Sequence, residues 1–130
     1  MILLDTDVCI SILRGNRTVI ENRRKYIDRV AVSFMSVAEL FYVAEKSANP
    51  LKNITLVEQF LLTVHVIHSN LAIMKRFGQL KALLEQNGNA LADADVFIAA
   101  TALETCNLLV TGNTKHFQRI QELPLAIWIH

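Results

Sequence analysis

Long apolar runs are missing from this chain, and glycine and proline are scarce, at four and two among 130 residues. Without about 20 consecutive apolar residues no transmembrane helix is expected. Asp5 and Asp7 also interrupt the N-terminal apolar stretch before it could act as a secretory signal, so a soluble, cytoplasmic protein without membrane attachment is expected. The two cysteines, Cys9 and Cys106, have no metal-type spacing and lie among apolar neighbours, which suits reduced core thiols better than a disulfide framework. No Ser-rich tract, charge block or recurring period divides the chain, which excludes linkers and repeat architectures and leaves one domain over residues 1–130. A formal net charge of +1 is too small to identify a partner by itself.

What the chain does have is apolar content, 52% hydrophobic against 19% charged, enough for a sizeable single core. Short continuous apolar runs recur at 1–4 (MILL), 30–34 (VAVSF), 64–68 (VHVIH), 108–111 (LLVT) and 126–129 (AIWI). Continuity without alternation is the habit of strands covered on both faces, as in a parallel sheet. Helical patterns fill the intervals at 8–13, 18–29, 37–47, 51–62, 71–87 and 96–105, with a turn near 115–120. Gly15, Pro50 and Gly88 punctuate them, and Gly78 is a candidate break within 71–87. Strands separated by helices predict an open α/β sheet with helices on both faces.

In such sheets ligands bind beyond the carboxyl ends of the strands. The acids without an evident partner fall there: Asp5 and Asp7 after the first strand, Glu39 past the second, and Asp93 and Asp95 before the fourth. Two like charges about 4 Å apart repel by roughly 4 kcal/mol at an effective dielectric near 20, so converging carboxylates need relief. Protonation, an inserted Arg or Lys such as Arg14 or Lys115, or a divalent cation would each provide it. Oxygen donors from scattered positions suit Mg²⁺ or Mn²⁺ rather than zinc, and such an ion prepares a water to attack a phosphodiester.

Four segments together, LLDTD (3–7), SVAEL (36–40), DADVFIAATAL (93–103) and LLVTGNTKHF (108–117), resemble a PIN domain and, more narrowly, the VapC-type toxin ribonucleases. The resemblance runs the length of the chain. It implies a three-layer α/β/α fold with a mostly parallel five-stranded sheet in the order 3-2-1-4-5. It also implies a Mg²⁺- or Mn²⁺-dependent endoribonuclease, a homodimer, silenced by a cognate VapB-type antitoxin, with tRNA as a candidate substrate. By position, Asp5, Glu39 and Asp95 match the catalytic and metal-binding acids. Many relatives carry a fourth acid where this chain has Asn113, so charge is missing there, and Asp93 is a candidate to replace it as a ligand. Thr6, Asp7, Thr111, Asn113, His116 and Arg14 are expected around the acids or on the substrate path. The competing reading is a PIN-like module that binds RNA or protein without hydrolysis. A haloacid dehalogenase phosphatase also begins with a strand and D-x-D, but it wants Thr or Val where Cys9 stands.

Several of these residues have ordinary structural readings. Ser36 to Glu39 is spaced as a capping box, Asp93 as a helix N-cap, and Asp7 as the cap of a helix beginning at Val8. His65 and His68 read as satisfied strand histidines, and the RRK at 23–25 as a solvated helix face.

Overall fold

A computed structural model describes residues 1–26 and 29–128 of the chain. Five strands, β1 (Ile2–Leu4), β2 (Val30–Ser33), β3 (His65–Ile67), β4 (Leu108–Val110) and β5 (Leu125–Ala126), form one sheet in the order β3-β2-β1-β4-β5, with every pairing parallel. That is the order the resemblance implies. Between the strands lie α1 (Thr6–Leu13), α2 (Arg17–Lys25), α3 (Phe34–Glu45), α4 (Pro50–Leu61), α5 (Leu71–Gln86), α6 (Asp93–Thr105) and the single turn α7 (Thr114–Phe117).

Alternate residues of β1 divide the core in two. Leu3 joins Ala31, Leu109 and the inner faces of α5, α6 and α7, where Ile73, Leu80, Ile98 and Phe117 are buried. Ile2 and Leu4 join Val32, Val110 and the helices of the other layer through Val8, Val19, Leu40, Val57 and Phe60. With β1 covered on both sides, none of its residues can be polar until the strand ends, and the next residue is Asp5. In-register pairing of Leu4 with Val110 places the ends of β1 and β4 side by side. Because the chain runs from β1 to β2 on one side and β4 lies on the other, this is the topological switch point, where a crevice opens.

Several boundaries differ from the sequence expectation, and caps explain them. Asp5, in extended conformation, caps α1, so the helix begins at Thr6 and Asp7 is inside it. Ser33 caps α3 by accepting from Ser36 N at 3.1 Å, so Ser36 and Glu39 are not a capping box; Glu39 stands in the second turn. α6 begins at Asp93 behind Ala92, whose side chain cannot cap, so Asp93 is not the N-cap either. α2 ends at Lys25; of the expected extension, Ile27 and Asp28 lie outside the described residues, as does Ile129 of the expected last strand. Asn70 caps α5 through Ile73 N at 2.9 Å, and the helix runs unbroken through Gly78.

Among the described residues no helix is long and apolar enough to cross a membrane. Gly78 is exposed, and a Cβ built there meets nothing within 4 Å. Gly78→Ala should therefore stabilise the protein by about 0.5–1 kcal/mol through lower unfolded-state entropy, read as a thermal midpoint raised by a few degrees.

Candidate active site

The carboxyl edge of the sheet opens into a cleft of about 570 Å³ bounded by Asp5, Thr6, Asp7, Glu39, Tyr42, Asp95, Gly112 and Asn113, with Ile10 and Val43 as its apolar wall. Four carboxylates from three separate segments of the chain thus share one cavity. Asp5, at 6% exposure, is the most enclosed of them. Its backbone N–H donates to Val110 O at 2.9 Å, which ties it to the end of β4. Its Oδ1 accepts from Thr6 N at 2.8 Å and its Oδ2 from the Thr111 hydroxyl at 2.7 Å, so both oxygens are fixed. Thr111 also accepts from Asn113 N at 2.9 Å, which shapes the turn after β4. That turn presents Gly112 N to Asp7 Oδ2 at 2.9 Å, while Asp7 Oδ1 is buried with no partner among the described residues.

Glu39 reaches the cleft from α3 and is held by Thr6, whose Oγ1 donates to Glu39 Oε1 at 2.7 Å and lies 2.9 Å from Ser36 Oγ. Asp95, in the first turn of α6, has its Oδ2 3.2 Å from His116 Nδ1. Asn113 Nδ2 approaches the same ring nitrogen at 2.8 Å.

Two expected participants are elsewhere. Asp93 is 61% exposed, pairs with Lys81 Nζ at 2.9 Å and borders a different depression between α5 and α6. It faces away from Asp95 because successive helix residues are rotated by about 100°. Arg14 stands at the C-terminal end of α1, beside an apolar groove of about 170 Å³ that shares Ile10 and Val43 with the cleft. About two turns of α1 separate it from the acids. Tyr42, not singled out in the sequence, joins the rim at 63% exposure. Its spacing of three from Glu39 on α3 is the signal that would have placed it on the same face.

Burial is the main cause that pushes the Asp5 carboxyl up to about 7; the Thr111 and Thr6 hydrogen bonds oppose it and the charges of Asp7 and Asp95 add to it. Asp7 is also raised, again chiefly by burial. Among the described residues no Lys or Arg forms an ion pair with Asp5, Asp7, Glu39 or Asp95; the cations bind Glu104 and Asp93 instead. Nor do any three His, Cys, Asp or Glu side chains there already form a closed ligand cluster, so the acids ring the cleft without meeting at a point. A divalent ion nevertheless fits the donor set, which is oxygen-rich, has an orphaned Asp7 Oδ1, and has no protein cation in the way.

A family model described as PIN domain matches residues 2–123. "Ribonuclease VapC2" of Haemophilus influenzae is 32% identical, covering 98% of this chain and 97% of its own length. The "tRNA(fMet)-specific endonuclease VapC" of Shigella flexneri is 29% identical over 97% and 96%. Among solved structures, DNA-bound VapBC from Salmonella typhimurium superposes with a TM-score of 0.92 at 29% identity over 98% of both chains. VapBC2 from Rickettsia felis, bound to a DNA fragment from its promoter, gives 0.92 at 30% identity over 99% and 100%.

A carboxyl with a raised folded pKa keeps the native state protonated where the unfolded chain has ionised. Its penalty is therefore absent below about pH 4 and complete above about pH 7. In chelator, Asp5→Asn should raise stability by ~4 kcal/mol at pH 8 and by almost nothing at pH 4, since an amide keeps the Thr6 contact and can donate to Thr111. Denaturant titration of both proteins at the two pH values checks this, and a gain independent of pH would contradict the electrostatic account.

Proposed function

This chain belongs to the PIN-domain family and, within it, to the VapC ribonucleases of toxin–antitoxin systems, and from that premise we propose that it is a Mg²⁺- or Mn²⁺-dependent endoribonuclease cutting RNA at the acidic cleft. The observation that carries this reading is Asp5, a carboxylate buried at the sheet edge, unpaired with any Lys or Arg among the described residues and surrounded by further acids. In a protein with no use for a cation the buried charge costs stability, and an amide, which can keep the Thr6 and Thr111 contacts, would be a favourable replacement. That argues against the non-hydrolytic binding module, although Asn113 contributes no charge.

Asp5, Glu39 and Asp95 are the residues that would hold the ion, with Asp7 beside them. Bound there, a divalent cation supplies polarisation of a phosphate oxygen and a more acidic water. The chain's own part is orientation. Thr6 N–H and the Thr111 hydroxyl hold both Asp5 oxygens, so the carboxylate cannot rotate away from the cleft. Thr6 engages only Oε1 of Glu39, which leaves Oε2 available. Asp95 meets His116 Nδ1 through Oδ2 alone, which leaves its Oδ1 available. Positioned acceptors of this kind can also take a proton from the attacking nucleophile.

Tyr42 offers the one large aromatic face on the cleft wall, with Lys46 Nζ 4.9 Å from its ring centroid. A ring and a neighbouring ammonium suit an unstacked base and its phosphate, the form in which single-stranded RNA is bound. The names of the Shigella and Salmonella relatives make initiator tRNA the first substrate to try. The VapBC complexes support a VapB-type antitoxin as partner, and the proposal includes a homodimer acting in the cytoplasm.

Purified chain incubated with total cellular RNA should cut it in Mg²⁺ or Mn²⁺ and not in chelator. Asp5→Asn and Asp95→Asn should each lower cleavage ~100-fold or more, at least the loss caused by removing a metal ligand's supporting partner. Full activity of either variant would remove the basis of the assignment. For Tyr42→Leu the expected result is KM raised ~5-fold with kcat nearly unchanged, the low end of what one stacked base contributes. An unchanged KM for a mapped RNA substrate would remove Tyr42 from the binding surface.

A further inference from the structure

Asp95 and Asn113 of the cleft lining meet His116 just behind it, and this corner departs from an all-oxygen site. Asn113 Nδ2 is an amide donor 2.8 Å from His116 Nδ1, so in that contact the ring nitrogen accepts. Asp95 Oδ2 lies 3.2 Å from the same nitrogen. A ring nitrogen and a carboxylate oxygen thus stand side by side, and with that nitrogen unprotonated both can donate a lone pair to one cation. Two neighbouring ligands of an octahedral ion, each at its usual 2.0–2.1 Å, stand about 3 Å apart, close to the spacing found here.

We propose that His116 Nδ1 is a metal ligand alongside Asp95, giving this chain a mixed nitrogen and oxygen site that favours Mn²⁺ over Mg²⁺. The inference rests on the divalent-ion reading of the cleft. Coordination would exchange the Asn113 amide hydrogen for the cation at the same lone pair. Phe117, fully buried, anchors the short turn α7 and so fixes the base of the neighbouring histidine. The ring itself, with its side chain 44% exposed, has room to adjust. Imidazole is a good donor for first-row transition ions and a poor one for Mg²⁺, which keeps oxygen ligands and water. Asn113 lowers the negative charge of this corner, which disadvantages the ion that relies most on carboxylate charge. Asp95 has no Lys or Arg partner among the described residues, so nothing there competes for the carboxylate.

The test uses the intact chain with Mn²⁺ alone and Mg²⁺ alone, without RNA. Pulsed electron paramagnetic resonance of the Mn²⁺ complex should show coupling to a directly bound ¹⁴N that disappears in His116→Gln. Calorimetry should show Mn²⁺ affinity falling ~10–100-fold in that variant while Mg²⁺ affinity changes far less. His116→Asp, which restores an oxygen donor, should narrow the preference for Mn²⁺. Mn²⁺ binding without ¹⁴N coupling, or coupling that persists in His116→Gln, would overturn the role of His116 and leave the acidic metal site standing. Failure of the chain to bind Mn²⁺ at all would overturn both.

Discussion

The fold turns on one carboxylate. Asp5 ends the central strand, caps the helix that follows and sits inside the protein, and each role constrains the others. Its backbone N–H continues the β1–β4 pairing by one bond to Val110 O, and its side chain accepts from Thr111, the first residue beyond β4. The strand pairing and the site geometry are therefore one structure: a slip of β4 against β1 would remove the hydroxyl that holds Oδ2. Because the side-chain period of a strand is two residues, such a slip would also turn Leu109 out of its layer, so core packing protects the register of the site.

Helix termini alone cannot support this acid cluster. Asp5 and Asp7 lie at the positive end of α1 and Asp95 at that of α6, contacts worth about 0.3–1 kcal/mol each. Repulsion between two carboxylates about 4 Å apart is several times larger at an effective dielectric near 20. Burial first and the neighbouring acids second push the Asp5 carboxyl up to about 7, where protonation relieves both. Four basic side chains are engaged elsewhere, Arg23 on Thr63, Arg76 on Glu104, Lys81 on Asp93 and Arg119 on Ala90 O. An acidic cleft with no Lys or Arg paired to its acids repels RNA as well as itself, so substrate binding there also depends on added positive charge.

Much of this was legible in the sequence because it follows from periodicity and adjacency. Continuous apolar runs mark buried strands, and an acid directly after such a run must lie at the sheet edge, as Asp5 does; Glu39 follows the second run at a distance, within the next helix. Caps were less legible. Ser33, Ser36, Asp5, Asp7, Ala92 and Asp93 all lie near helix starts, and which of them caps depends on where each strand releases the chain, a tertiary matter. Contacts over long separations were invisible: nothing local predicts that Thr6 meets Glu39, that Gly112 N meets Asp7, or that His116 meets Asp95.

On α3 and α6, unlike α1, the cap and the ligand candidate are different residues, and that separation explains why Glu39 and Asp95 point where they do. Ser33 satisfies the start of α3, so Glu39 is not drawn back to the backbone and extends one turn further into the cleft. On α6 the division is between two acids of one turn. Asp93, rotated outward, is neutralised by Lys81 from α5, while Asp95, rotated inward, has only His116. Had the lysine lain on the cleft side, Asp95 would be a structural ion pair and the cavity one carboxylate poorer. The position of Lys81 on the solvent face of α5 is thus part of what keeps the inner acid free, and it acts without touching the cleft.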